Sequence, residues 1–223
     1  MATVLVMGAS RGLGFAFVEH YVAAGDRVIA TARDDAGLAR LRAAGVHQVL
    51  RLDVAQPASV SGLAWQLDGE AIDLALYVAG VIVRGNALSP PTREDFDRVF
   101  HTNVLGAMQA IPQVAPLVEA AGGTFAFISS TMGRIDGVAA SEPWTYRASK
   151  AALNMAVASA QHDYPRATLV ALSPGWVQTD MGGAAAPLTV DESVAGMRAT
   201  LAGLGPDDRG AFLLHDGTRF PSW

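Results

Sequence analysis

Val4-Leu5-Val6-Met7-Gly8-Ala9-Ser10-Arg11-Gly12-Leu13-Gly14 decides how the rest of the chain is read. A short apolar run stops at a glycine, and two further glycines lead into an apolar-faced stretch that runs as a helix to about Ala24. Glycines at a strand-to-helix turn permit a tight bend and close backbone approach, and the helix N-terminus beyond them favours an anion such as a pyrophosphate. The spacing is G-x-x-x-G-x-G, not the commoner G-x-G-x-x-G, so the turn is read on its own terms. Its position at the first crossover favours a phosphate cradle over a turn that serves packing alone.

The same residues also fit G-x-S-x-G, a nucleophile elbow on Ser10, with Asp180 and His215 following in the order Ser, Asp, His. An elbow needs strands and an oxyanion loop upstream, and a single strand precedes Ser10. The phosphate reading is therefore preferred.

Outward from this turn, short β-forming runs alternate with helical stretches. Strands are expected at 27–31, 49–52, 72–78, 124–129, 168–172 and 211–214, with helices at 35–44, 57–67, 92–119, 146–162 and 190–204. Thr92 with Asp95 resembles a capping box, and Pro112 and Pro116 are expected to bend or end the helix that they interrupt. Alternating β and α with buried strands implies a doubly wound parallel α/β sheet with helices on both faces, about seven strands in one domain over 1–223. No repeat, linker or low-complexity segment divides it.

Composition narrows the function. Of 223 residues, 51% are hydrophobic and 17% charged, enough for a full core. A net charge of −5 argues against nucleic acid or a polybasic membrane patch as partner. Without cysteine there is no disulfide, thiolate metal site or thiol nucleophile, and the five histidines lack metal-binding spacing, so no metal is expected. No apolar run approaches the ~18 residues that span a bilayer, and the N-terminus reads directly as a strand. The expectation is a soluble cytoplasmic protein.

Tyr146-Arg147-Ala148-Ser149-Lys150 places a phenol and an ammonium one helical turn apart on one face. A lysine there is expected to lower the tyrosine pKa toward neutrality, where it can give or take a proton. The second strand ends Thr31-Ala32-Arg33, without the carboxylate that binds a ribose diol. Arg33 and Arg11 together suit a 2′-phosphate, favouring NADP(H) over NAD(H), although Asp34 and Asp35 partly offset Arg33.

Gly8–Gly14, Asp53-Val54, Ala79-Gly80, Asn103-Val104, Ser129-Ser130, Tyr146–Lys150 and Pro174-Gly175-Trp176-Val177-Gln178-Thr179 occur in one order along the chain. Together they resemble the short-chain dehydrogenase/reductase family, across essentially the whole chain. Tyr-Arg-Ala-Ser-Lys-Ala-Ala-Leu-Asn, Gly-Trp-Val-Gln-Thr-Asp-Met-Gly-Gly and the Asp216-Gly217 tail ending in Trp223 look most like its sniffer and C-factor-like carbonyl reductase branch.

The resemblance implies a Rossmann-type fold and hydride transfer between nicotinamide and a small carbonyl or alcohol. Tyr146 would be the general acid or base, and Ser130 would hold the substrate oxygen. Lys150 would grip the nicotinamide ribose, and Asn103 would hold a water of a proton relay. Gly8, Ser10, Arg11, Gly12, Leu13 and Gly14 would cradle the pyrophosphate end, with Arg33 beside the adenosine phosphate. Asp53 and Val54 would meet the adenine edge, and Ala79 and Gly80 the adenosine ribose. Pro174, Gly175, Val177 and Thr179 would fix the carboxamide.

Met7 and Val78 depart from the family's usual threonine and asparagine. Ser130 lies 16 residues before Tyr146, which fits an insertion around 136–142. Ser129 is the alternative bearer of the serine role, but strand alternation points the two hydroxyls opposite ways, and Ser130 is preferred. Trp144 and Trp176 are either packing residues or an aromatic wall for an apolar substrate. Residues 180–189 read as a short mobile loop. The long helices 95–118 and 146–162 resemble those through which family members dimerise, so a homodimer is expected. The alternative in another class is a dinucleotide-binding signal or scaffold protein, which would have no use for an activated phenol.

Overall fold

The computed structural model describes residues 1–223. Its elements are β1 (Thr3–Met7), α1 (Gly12–Ala23), β2 (Arg27–Ala32), α2 (Asp35–Ala43), β3 (Gln48–Arg51), α3 (Pro57–Ser61), α4 (Leu63–Gln66) and β4 (Leu74–Tyr77). There follow α5 (Arg93–Phe100), a π-helical turn (His101–Leu105), α6 (Gly106–Ala121), β5 (Thr124–Ile128), α7 (Trp144–Ala160), β6 (Thr168–Ser173), α8 (Val190–Ala202) and β7 (Phe212–Leu214). The strands form one parallel sheet in the order β3-β2-β1-β4-β5-β6-β7. Strand order reverses between β1 and β4, and a crevice opens there at the carboxyl ends.

Alternation along β1 shows why both faces need helices. Leu5 and Met7 enter a core with Val114, Val118 and Leu153 of α6 and α7, while Val4 and Val6 enter one with Phe17, Leu38 and Met197 of α1, α2 and α8. All four β1 residues are fully buried. No helix is long and apolar enough to cross a membrane.

Three local expectations change. The helix expected at 57–67 breaks at Gly62 into α3 and α4. The stretch expected as one helix from Thr92 to Glu119 contains the π turn at His101–Leu105, although Thr92 caps its start by accepting from Asp95 N at 3.1 Å. Pro112 and Pro116 lie inside α6 without ending it. Both prolines, and Met108 four residues before Pro112, lie on the exposed side. The carbonyls deprived of an N–H partner at Met108 and Pro112 can therefore be hydrated there.

Candidate active site

Gly8 begins the turn at φ +85°, and a Cβ there would lie 2.7 Å from the backbone of Ala79 on the neighbouring strand end. Glycine is thus required for both conformation and space. Thr31 secures the turn from β2: its Oγ1 accepts from Gly8 N at 3.2 Å and its carbonyl from Ala9 N at 2.9 Å. Gly37 of α2 presses so close that a Cβ would meet Ala32 and Ser10 at 2.8 Å. These contacts build one wall of a cleft of about 510 Å³ at the switch point.

Gly8, Ser10, Arg11, Gly12, Leu13, Gly14, Arg33, Asp53, Val54, Ala79, Gly80, Tyr146, Lys150, Pro174 and Thr179 all line this cleft. Asn103, Ser130, Gly175 and Val177 do not, whereas Ser129 does. Gly175 turns at φ +80° against Leu188, and Val177 is buried in a bridge to Leu188. A bare glycine floor suits a dinucleotide: a Cβ on Gly80 would project between Asn103 Oδ1 at 3.5 Å and Lys150 Nζ at 3.6 Å.

The end beside the glycine turn is open and charged, with Arg11, Arg33 and Arg40 lining it together with Asp34, Asp53 and Asp180. Arg11 is 70% exposed and reaches across the cleft to Asp180 at 3.1 Å, and Arg33 lies 4.0 Å from Asp34. A third guanidinium, Arg40, lines the same end and donates to Ser10 O at 3.0 Å. Sequence reasoning missed Arg40. The available signal was its position one helical turn after Gly37, on the face of α2 that meets the glycine turn.

The reaction end is closed and densely bonded. Lys150 is the chain's one lysine, only 3% exposed, and its Nζ donates to Ile128 O at 2.7 Å. Burial lowers its pKa to about 7. Burial raises that of Tyr146 to about 12, with a hydrogen bond from Ser130 pulling the other way. The expected lowering of Tyr146 by Lys150 is therefore corrected for the protein alone. Desolvation disfavours the charged form of both groups, and Nζ sits over the phenol ring, 5.6 Å from its centroid.

Ser129 and Ser130 divide as alternation suggests. Ser129 Oγ points inward and donates to Asn154 Oδ1 at 2.5 Å, whereas Ser130 Oγ, beside the phenol, accepts from Met132 N at 3.1 Å.

Asn103 is fully buried on the π turn. Its Oδ1 accepts from Val81 N at 2.8 Å, and Nδ2 donates to Val81 O and Ser149 Oγ, each at 2.9 Å. Both amide protons and one lone pair are thus committed to pinning the end of β4 to α7, and little of the side chain remains for the expected water. Tyr77, also missed, supports this turn by donating to Thr102 O at 2.7 Å.

Trp144 and Trp176 do not line the cleft. Trp176 is 57% exposed, and its Nε1 donates to Gly182 O at 2.8 Å. That bond, Gln178 Nε2 to Ala186 O at 2.9 Å, and the buried Ala186 tie down the segment expected to be mobile. Of the rival triad, Ser10 and Asp180 share the cleft, but His215 packs behind it against Gly175 and Gly196. No cluster of three or more His, Asp or Glu side chains is placed to hold a metal.

A family model described as short chain dehydrogenase matches residues 2–187. The C-signal protein of Myxococcus xanthus is 39% identical over 153 residues, covering 67% of this chain and 92% of its own. Among solved structures, the carbonyl reductase Sniffer of D. melanogaster superposes with a TM-score of 0.91 at 26% identity, covering 100% of both chains. A short-chain dehydrogenase/reductase of Burkholderia multivorans with bound NADP reaches 0.85 at 31% identity, covering 98% of each.

Proposed function

The chain belongs to the short-chain dehydrogenase family, in its sniffer-like branch, and on that footing we propose that it is an NADPH-dependent reductase of small carbonyl compounds with Tyr146 as the proton donor. The observation that carries this reading is Tyr146 and Lys150 lining one end of a glycine-floored cleft, with the Ser130 hydroxyl beside the phenol. Bound NADPH supplies the hydride to the carbonyl carbon. The protein's part is the oxygen: Ser130 Oγ–H holds it, and Tyr146 Oη–H delivers the proton that completes the alcohol. Lys150, when protonated, stabilises the phenolate left behind until it regains a proton from solvent.

Arg11, Arg33 and Arg40 support the choice of NADP(H) over NAD(H), because three guanidiniums line this end, β2 ends without a carboxylate, and Asp34 is engaged in accepting from Gly37 N at the start of α2. A homodimer through α6 and α7 is part of the same reading. Met108 and Met155, 52% and 68% exposed, flank an apolar groove between these helices.

The test is NADPH oxidation across aldehydes, ketones, quinones and activated alkenes with the wild type and Tyr146→Phe. The variant should bind NADPH within about twofold of wild type yet lose roughly 10²–10⁴ in kcat. Undiminished turnover by the variant would refute the role of Tyr146. NADPH binding without turnover on any carbonyl would favour the signal or scaffold reading instead.

A further inference from the structure

Beyond β7 the chain reverses at Asp216-Gly217 and returns along the sheet's outer edge. Leu214 N donates to Thr218 O at 2.8 Å and Phe220 N to Phe212 O at 3.0 Å, pairing the returning segment antiparallel to β7. Phe220 and Trp223 then pack on the buried Phe212, with ring centroids 4.6 and 5.7 Å away. Covering an edge strand would by itself be ordinary protection against mispairing. The tail goes further, because it reaches the loop that follows β5, two strands away.

That loop begins at Ser130. Trp223 O accepts from Ile135 N at 3.1 Å, and Ser222 Oγ donates to Asp136 Oδ2 at 2.6 Å. Arg134 binds Asp136 through two hydrogen bonds of 2.9 and 2.6 Å and lays its guanidinium over the Phe220 ring, 4.6 Å from the centroid. On its other side the loop meets α7 at Gly133, where a Cβ would lie 2.8 Å from the Lys150 carbonyl carbon. Gly133 N donates to Ser130 O at 2.8 Å, so a shift of Gly133 is transmitted to Ser130 directly. Residues 135–142 are all exposed and carry no helix or strand. Besides the tail, the loop is tied at its ends, where Thr131 N donates to Ser173 Oγ at 3.2 Å and Arg147 Nε of α7 donates to Glu142 O at 3.1 Å.

We propose that Phe220–Trp223 is a strap that positions Ser130 against Tyr146, with Phe220 and Trp223 as positioning residues for the proposed reduction. The strap acts through Arg134, Ile135 and Asp136 and touches neither cofactor nor substrate. It therefore influences kcat and the placement of the carbonyl oxygen, while the NADPH site across the cleft is left intact. Misplacing a reacting group by about 1 Å costs on the order of 10²-fold in rate.

This proposal rests on the reductase reading, and its test separates the two. The double variant Phe220→Ala, Trp223→Ala should keep NADPH affinity within about twofold and lose about tenfold or more in kcat. Amide hydrogen exchange should rise at 131–136 and stay unchanged in β6 and α7. Phe220→Tyr with Trp223→Phe, which retains both rings, should restore kcat and protection together. Wild-type kcat and unchanged exchange at 131–136 in the alanine variant would overturn the strap. So would losses of kcat, NADPH affinity and global stability in parallel, which would mark a merely structural tail. If the wild type reduced no carbonyl, the reductase reading would fail, and exchange at 131–136 would still decide whether the strap holds the loop.

Discussion

The two ends of the cleft are built on opposite principles. At the reaction end Asn103, Ser129, Ser149, Lys150 and Asn154 are nearly inaccessible, and neighbouring atoms dictate their orientation. At the end beside the glycine turn Arg11 and Arg33 stand in solvent and pair only with exposed carboxylates. Chemistry needs a proton donor fixed to a fraction of an ångström, and burial supplies that rigidity while raising the cost of charge. Recognition of a phosphate needs charge and reach, which long exposed side chains provide at little cost to the fold. Substitutions should therefore sort by end: rate and stability at one, affinity and salt dependence at the other.

Lys150→Met should produce the largest effect and break the reaction end in two directions at once. Reduction should fall by roughly 10²–10⁴. The cofactor-free protein should become more stable at pH 6. Lys150 has a folded pKa of about 7 against an ordinary 10.5, so the unfolded chain binds more protons between those values. Wild-type stability accordingly rises with pH from about 7 to 10.5, and the penalty is fully present below 7. Removing the amine should recover on the order of a few kcal/mol at pH 6 and flatten the slope. Urea midpoints at pH 6 and pH 9 check this, and a variant less stable than wild type at pH 6 would contradict it.

Arg11→Ala combined with Arg33→Ala should come next. NADPH affinity should fall by about 10–100-fold and NADH affinity by less than about threefold, since charged hydrogen bonds contribute about 1.5–3 kcal/mol. Raising salt should mimic the variant at this end and leave kcat at saturating NADPH nearly constant, because exposed charges are screened and buried ones are not. Equal losses for both nucleotides in a fluorescence titration would remove the phosphate role. Arg40→Ala should deepen the loss.

Asp180→Asn should give the smallest change. Freed from its carboxylate, Arg11 should bind NADPH more tightly by up to about threefold, within the 0–1 kcal/mol range of exposed ion pairs. Weaker binding would instead assign Asp180 a supporting role.

The sheet was legible because period-two burial on both faces leaves apolar runs, and Ser130 was separable from Ser129 by the same alternation. The π turn was not legible. His101–Leu105 reads as ordinary helix, and its cause is tertiary, in the Tyr77 hydroxyl and in Gly106 packed against Val54 and Tyr77. Pro112 and Pro116 misled because a proline's cost depends on whether the freed carbonyls meet water, which one sequence does not show. The pairing of Tyr146 with Lys150 was legible, but their pKa values were not, because burial outweighs the charge that the spacing alone suggests. The strap joins residues about 90 apart through hydrogen bonds and the Arg134 guanidinium over Phe220, contacts no local pattern announces.

Lys150 is the chain's one ε-amine, and it is almost wholly buried where it lines the cleft. An amine-directed reagent therefore has the α-amine to attack on the folded surface and a second target only when the cleft opens. Labelling at Lys150 would time that opening one molecule at a time, and a single lysine NMR signal would report cofactor arrival without assignment. The protein carries its own reporter group at the point where its proposed chemistry happens.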